Sequence, residues 1–178
     1  MLKTHIAGQI YAKFSFEATF SQKKVVEKLS DWLFSPNYSS IFVLNGYAGT
    51  GKTTLVAAVV AVLKDLGIKS VLLAPTGRAA KVLSHYSGQT ARTIHKHIYR
   101  ERTNADYESK FSLDINKDKG AVFIVDEASM LSDRAGDGQI FGSGSLLEDL
   151  VKYVRSGKEC RLLLVGDDAQ LPPVGADY

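Results

Sequence analysis

Gly46-Tyr47-Ala48-Gly49-Thr50-Gly51-Lys52-Thr53 follows the pattern G-x-x-x-x-G-K-[ST], that of a phosphate-binding loop. Both flanks fit. Ile41-Phe42-Val43-Leu44 before it is a short apolar run suited to a buried strand. Thr53 to Leu66 after it is rich in Ala, Val and Leu and has no Gly or Pro, as a helix requires. Strand, glycine turn and helix bring free backbone N–H groups and a helix dipole to one point, where a polyphosphate is stabilised. Lys52 supplies a charge for the β- and γ-phosphates, and the Thr53 hydroxyl a ligand for Mg²⁺. Gly46, Ala48, Gly49, Thr50, Gly51, Lys52, Thr53 and Thr54 are therefore the candidate nucleotide-binding residues, for ATP or GTP. A chance glycine turn carrying a lysine would have neither flank.

The chain has 178 residues, enough for one domain with a sizeable core. Its 45% hydrophobic and 23% charged residues are ordinary for a globular domain. No apolar run is long enough to cross a membrane. Met1-Leu2-Lys3-Thr4-His5 leads into no apolar signal core. The single cysteine, Cys160, has no internal disulfide partner, and a reducing cytoplasm is the expected setting. The net charge of +3 says little, but its distribution is uneven. Thr76 to Arg102 holds six basic residues (Arg78, Lys81, Arg92, Lys96, Arg100, Arg102) against one acid, Glu101. Such a stretch fits a phosphate backbone and, equally, a solvated helix face.

Along the chain, residues 1 to 18 show no clear period, and no element is assigned to them. A helix is expected from Ser21 as N-cap, with Val25, Val26, Leu29, Trp32 and Leu33 at helical spacing, ending before Pro36. Gly67 closes the helix that follows the phosphate loop. Ser70 to Ala74 is a second strand, Pro75-Thr76-Gly77 a turn, and Arg78 to Tyr86 a helix. A further short helix is expected over Ala91 to Tyr99, and an exposed loop or hairpin insertion over 101 to 120. Ala121 to Val125 is a third strand, ending in Asp126-Glu127. Residues 132 to 145, with Gly136, Gly138, Gly142 and Gly144, are a candidate loop. Leu146 to Val154 is a helix and Arg161 to Val165 a fourth strand. Apolar strands alternating with helices imply an α/β fold with a parallel sheet covered on both faces. Ligands bind such sheets at the carboxyl ends of the strands, where all these motifs fall.

Asp126 at a strand end suits Mg²⁺ held through water, and Glu127 suits the base that orients an attacking water. An acid pair there is otherwise a helix cap. Gln170, after the fourth strand, is placed to contact the γ-phosphate or that water, or is an ordinary polar loop residue. Lys52, Glu127 and Gln170 are the candidate catalytic residues, and Thr53 and Asp126 the candidate metal ligands.

Five blocks in order carry a family resemblance: Gly46 to Thr54, Ala74-Pro75-Thr76-Gly77-Arg78-Ala79-Ala80, Thr93-Ile94-His95, Val125-Asp126-Glu127-Ala128-Ser129-Met130, and Gly166-Asp167-Asp168-Ala169-Gln170-Leu171-Pro172-Pro173-Val174-Gly175. Together they resemble the first motor domain of superfamily 1 helicases, in particular the RecD-like branch, the alpha-subunit type of ATP-dependent exonuclease. The resemblance runs from about Ser21 to Gly175, and the last block is its most specific part. It implies a RecA-like P-loop NTPase fold of sheet order 5-1-4-3-2, with ATP and Mg²⁺ as cofactors and 5′-to-3′ movement on single-stranded DNA. Gln22 is similar to an adenine-reading glutamine, though a helix-surface glutamine reads the same. Pro75, Thr76, Arg78, Thr93 and His95 match DNA-contacting positions, and a lone His95 is otherwise a packed core residue. Lys96-His97-Ile98-Tyr99 departs from the leucines usual in relatives.

The resemblance also implies a second RecA-like domain supplying arginines to the ATP site, and nuclease subunits as partners; no membrane partner is implied. Residues 1 to 178 are then expected to be a single RecA-like domain, cut after the fourth core strand, that binds nucleotide and turns it over slowly alone. Two other classes fit a phosphate loop. A small-molecule kinase has no need of Asp126-Glu127 followed by the Gly166 block, and a nucleotide-gated binding module would bind without turnover.

Overall fold

The computed structural model describes residues 2–103, 109–131 and 142–167. Its elements in order are α1 (Leu2–Ala12), α2 (Phe20–Leu33), β1 (Ile41–Asn45), α3 (Lys52–Asp65), β2 (Ser70–Ala74), α4 (Gly77–Ser87), β3 (Ala91–Thr93), α5 (Ile94–Ile98), β4 (Tyr99–Thr103), β5 (Ser109–Leu113), β6 (Val122–Val125), a 3₁₀ turn (Ala128–Met130), α6 (Leu146–Ser156) and β7 (Arg161–Gly166). Five strands form one parallel sheet in the order β1-β7-β6-β2-β3, and β4 and β5 form a separate antiparallel hairpin.

Successive residues of a strand face opposite ways, and here both faces are apolar. In β6, Val122 and Ile124 enter one core while Phe123 and Val125 enter the other. The first core joins the sheet to α1, α2, α3 and Leu83 of α4. The second joins it to α5, α6 and Tyr99 of the hairpin. Fully burying such a Val, Leu, Ile or Phe side chain is worth about 1.5–3 kcal/mol, so these two layers dominate the folding energy. This is the expected α/β P-loop fold with helices on both faces. No helix among the described residues is long and apolar enough to cross a membrane.

Three local expectations change. The N-terminal stretch without a visible period is a helix, α1, and it buries Ile6 and Ile10 completely. The N-cap of α2 is Thr19 rather than Ser21. The Thr19 hydroxyl accepts from the Gln22 N–H at 3.3 Å and Gln22 Oε1 accepts from the Thr19 N–H at 2.9 Å, a reciprocal capping box. The single helix expected over Ala91 to Tyr99 is instead strand, one and a half helical turns, and strand again. Ala91–Thr93 pairs in parallel with Leu72–Ala74, which extends the sheet at the β2 edge. The four core strands expected from the sequence thus lie in the order anticipated for them, and the sheet's fifth strand, β3, stands beyond β2. Finally, β7 ends at Gly166; Gln170, residues 132–141 and most of the Gly166–Gly175 block lie outside the described residues.

Candidate functional site

The phosphate loop joins β1 to α3. Gly51, the N-cap of α3, has φ +87°, a left-handed conformation that glycine adopts without steric cost. A Cβ on Gly51 would also stand 2.6 Å from Gln22 Nε2. That nitrogen donates to the Thr50 carbonyl at 3.1 Å. Gln22 therefore ties the start of α2 to the loop, using one oxygen lone pair for the cap and one N–H for Thr50. The Thr50 hydroxyl donates to the Tyr47 carbonyl at 2.8 Å and closes the turn. Lys52 Nζ donates to the Gly46 carbonyl and, at 2.9 Å, to that of Tyr47. It also lies 3.6 Å from the Asp167 carboxylate.

An open cleft of about 490 Å³ lies along the carboxyl ends of β1, β7 and β6. Ala48, Gly49, Gly51, Lys52, Thr53, Thr54, Asp126 and Glu127 all line it, so the structure brings most of the nucleotide and catalytic candidates to one place. It adds Val82, Tyr86 and Asp167, to which the sequence had given no role. Asp126 Oδ1 accepts from the Glu127 N–H at 2.9 Å, and Asp126 Oδ2 accepts from the Tyr86 hydroxyl. Burial first, then the bond to Asp126, pushes the Tyr86 phenol well above its ordinary range, so it remains a donor. Glu127 sits at φ 55°, ψ 37°, a left-handed conformation costing an L-residue about 1–2 kcal/mol. Strain of this kind concentrates where a side chain must be aimed.

Thr53 and Asp126 offer the hard oxygen donors that suit a small divalent cation. No group of three or more His, Cys, Asp or Glu among the described residues is placed to hold a metal. A cation held here would complete its shell with phosphate oxygens and water, as Mg²⁺ does in nucleotide sites.

The AAA domain family matches residues 21–177, nearly the whole chain. The chain belongs to this family. It is 35% identical over 144 residues to the ATP-dependent RecD2 DNA helicase of Deinococcus radiodurans, 76% of this chain and 16% of that protein. It is 36% identical over 138 residues to the ATP-dependent DNA helicase dda of phage T4, 74% of this chain and 28% of that protein. A Methanocaldococcus jannaschii protein of uncharacterised function is 37% identical over 145 residues, 75% of this chain and 11% of that protein. The AAA domain is thus homologous to ATP-dependent DNA helicases, as a RecD-like first motor domain, and spans a small part of their length.

The remaining candidates of this AAA domain form a second group, at the β2–β3 edge. Ala74 pairs with Thr93 across the sheet, which sets Pro75 and Thr76 beside Thr93. Both threonines are helix caps. The Thr76 hydroxyl accepts from the Ala79 N–H at 3.2 Å, and that of Thr93 from the Lys96 N–H at 3.3 Å. Each hydroxyl proton stays available to an outside acceptor. Arg78 is exposed and His95 half-buried. His97 fills an apolar role: its ring packs edge-on against Phe123 and Tyr153.

Proposed function

We propose that this chain is the ATP-hydrolysing motor domain of a DNA helicase. The meeting of Lys52, Thr53, Asp126 and Glu127 in one cleft carries the reading. ATP lies against the phosphate loop, Lys52 on its phosphates and Gln22 beside the loop. Thr53 and, through water, Asp126 would hold Mg²⁺, which would neutralise charge on the phosphates. Glu127 takes the proton of the attacking water as the new P–O bond forms and the bond to the β-phosphate oxygen breaks; Gln170 senses the γ-phosphate. Single-stranded DNA runs over the β2–β3 edge, its backbone on Thr76, Arg78, Thr93 and His95, with Pro75 shaping the turn. A second RecA-like domain completes the ATP site. Movement in the 5′-to-3′ sense and nuclease partners in repair or recombination rest on the family resemblance, and a cytoplasmic setting on the single cysteine, Cys160.

The test is ATP turnover by this chain with and without single-stranded DNA, beside Glu127→Gln. Slow turnover that DNA raises and Glu127→Gln abolishes, with ADP still bound, is expected. Turnover surviving in Glu127→Gln would overturn the reading. A nucleotide-gated binding module is the second reading, favoured by one observation: among the described residues lining the cleft there is no arginine. Loss of such a group costs about 10³–10⁵ in rate. Binding of both ligands with no turnover would select it.

A further inference from the structure

Tyr86 stands one helical turn after Val82 on α4, and both side chains reach the nucleotide cleft. The ring packs against the first core, a task phenylalanine would do as well. Its hydroxyl does something more: it donates to Asp126 Oδ2. Asp126 Oδ1 is held from the other side by the Glu127 N–H, 2.9 Å away. The carboxylate therefore has a fixed orientation, with one oxygen tied to a helix on the cleft wall and the other to its own backbone. A carboxylate oxygen carrying one such bond keeps a second lone pair for a metal-bound water. The arrangement also reaches Glu127, since the same carboxylate receives the N–H of that strained residue.

We propose that Tyr86 is a positioning residue for the cation site, setting the Asp126 carboxylate for a divalent ion bound with nucleotide. This rests on the assignment of Asp126 to that ion. Partners of metal-site groups fix ligand orientation, and removing one typically weakens metal binding about 10- to 100-fold. Because Asp126 acts through water, the effect here lies at the lower end of that range.

The experiment is a MgCl₂ titration of the binding of a fluorescent ADP analogue to the full chain. Wild type is compared with Tyr86→Phe and Asp126→Asn, and the analogue's affinity in chelator gives a second readout. Tyr86→Phe keeps the ring and removes only the hydroxyl, and a thermal melt checks that it folds. The expected result is a Mg²⁺ midpoint raised about tenfold in Tyr86→Phe, with metal-free affinity unchanged. A merely structural role would move both readouts together, and that outcome overturns the proposal. So does a lowered midpoint, which would mean that the phenol competes with the ion. An unchanged midpoint in Tyr86→Phe with a raised one in Asp126→Asn overturns the role of Tyr86 alone. An unchanged midpoint in Asp126→Asn overturns the metal assignment of Asp126 as well.

Discussion

The Lys52 ammonium lies 3.6 Å from the Asp167 carboxylate, and the two side chains are only 16% and 15% exposed. The charge that a phosphate loop offers to its ligand is thus partly answered by the end of β7. Asp167 is held in place by its N–H, which donates to Ser129 Oγ at 3.4 Å. A carboxylate beside a polyphosphate site opposes the anion while it steadies the lysine. Asp167→Asn should therefore tighten metal-free ADP binding on the order of fivefold, about 1 kcal/mol. Calorimetric titration in chelator checks this, and equal or weaker binding would mean that Asp167 does not compete for Lys52.

The Gly51 position combines two constraints that a single substitution can separate. Its φ of +87° disfavours any side chain, and a Cβ would meet Gln22 Nε2 at 2.6 Å. Gly51→Ala should lower stability by about 1–2 kcal/mol in a denaturant titration. Gln22→Ala, with its own cost through the lost cap and Thr50 bond measured in the Gly51 background and subtracted, removes the contact and leaves the backbone strain. It should recover less than half of the loss. Full recovery would show that the contact, not the conformation, demands glycine here.

What the sequence made legible was local. The Gly46–Thr53 loop, the Ser70–Ala74 strand and Asp126-Glu127 at a strand end all announce themselves through glycine placement or apolar runs within a few residues. The Thr19 cap was legible too, because Thr19 and Gln22 have the T-x-x-Q capping-box spacing, although Ser21 was the expected cap. Ala91–Thr93 was not, since three residues carry no period and only pairing with β2 makes them a strand. The same holds for the contacts that complete the site. Tyr86 and Asp126 are 40 residues apart in sequence, and Gln22 and Thr50 are 28 apart. Only the packing of α4 and α2 beside the sheet brings each pair together.

His97 gives a pH dependence whose sign follows from its surroundings. Burial, then Arg92, with smaller effects from Lys69 and Arg100 against Asp118, holds its pKa below the usual 6.5. Burial lowers that of His95 as well. As pH falls through 6.5 the unfolded chain binds protons that the folded chain resists, so stability is full above that value and is lost below it. His97 Nε2 is also buried without a hydrogen-bond partner among the described residues. His97→Phe, set between Phe123 and Tyr153, should flatten part of this acid slope and keep stability at pH 7. Denaturant midpoints between pH 5 and pH 8 would show it, and an unaltered slope would assign the whole effect elsewhere.

Glu127 tests whether the strained backbone belongs to the site or to the fold. At φ 55° the residue pays a conformational penalty that glycine escapes and alanine does not. Both substitutions remove the carboxylate, so both should abolish ATP turnover if Glu127 is the base. They should differ in stability: Glu127→Gly more stable than Glu127→Ala by about 1 kcal/mol, read as the difference in their denaturant midpoints. The comparison cancels the loss of the side chain and leaves only the backbone. Equal stabilities would mean that the chain relaxes out of the left-handed conformation once the carboxylate is gone. The Glu127 carboxylate itself, and neither the Asp126 bond to the backbone N–H, which both variants keep, nor the path of the strand, would then be what holds the residue in its strained pose.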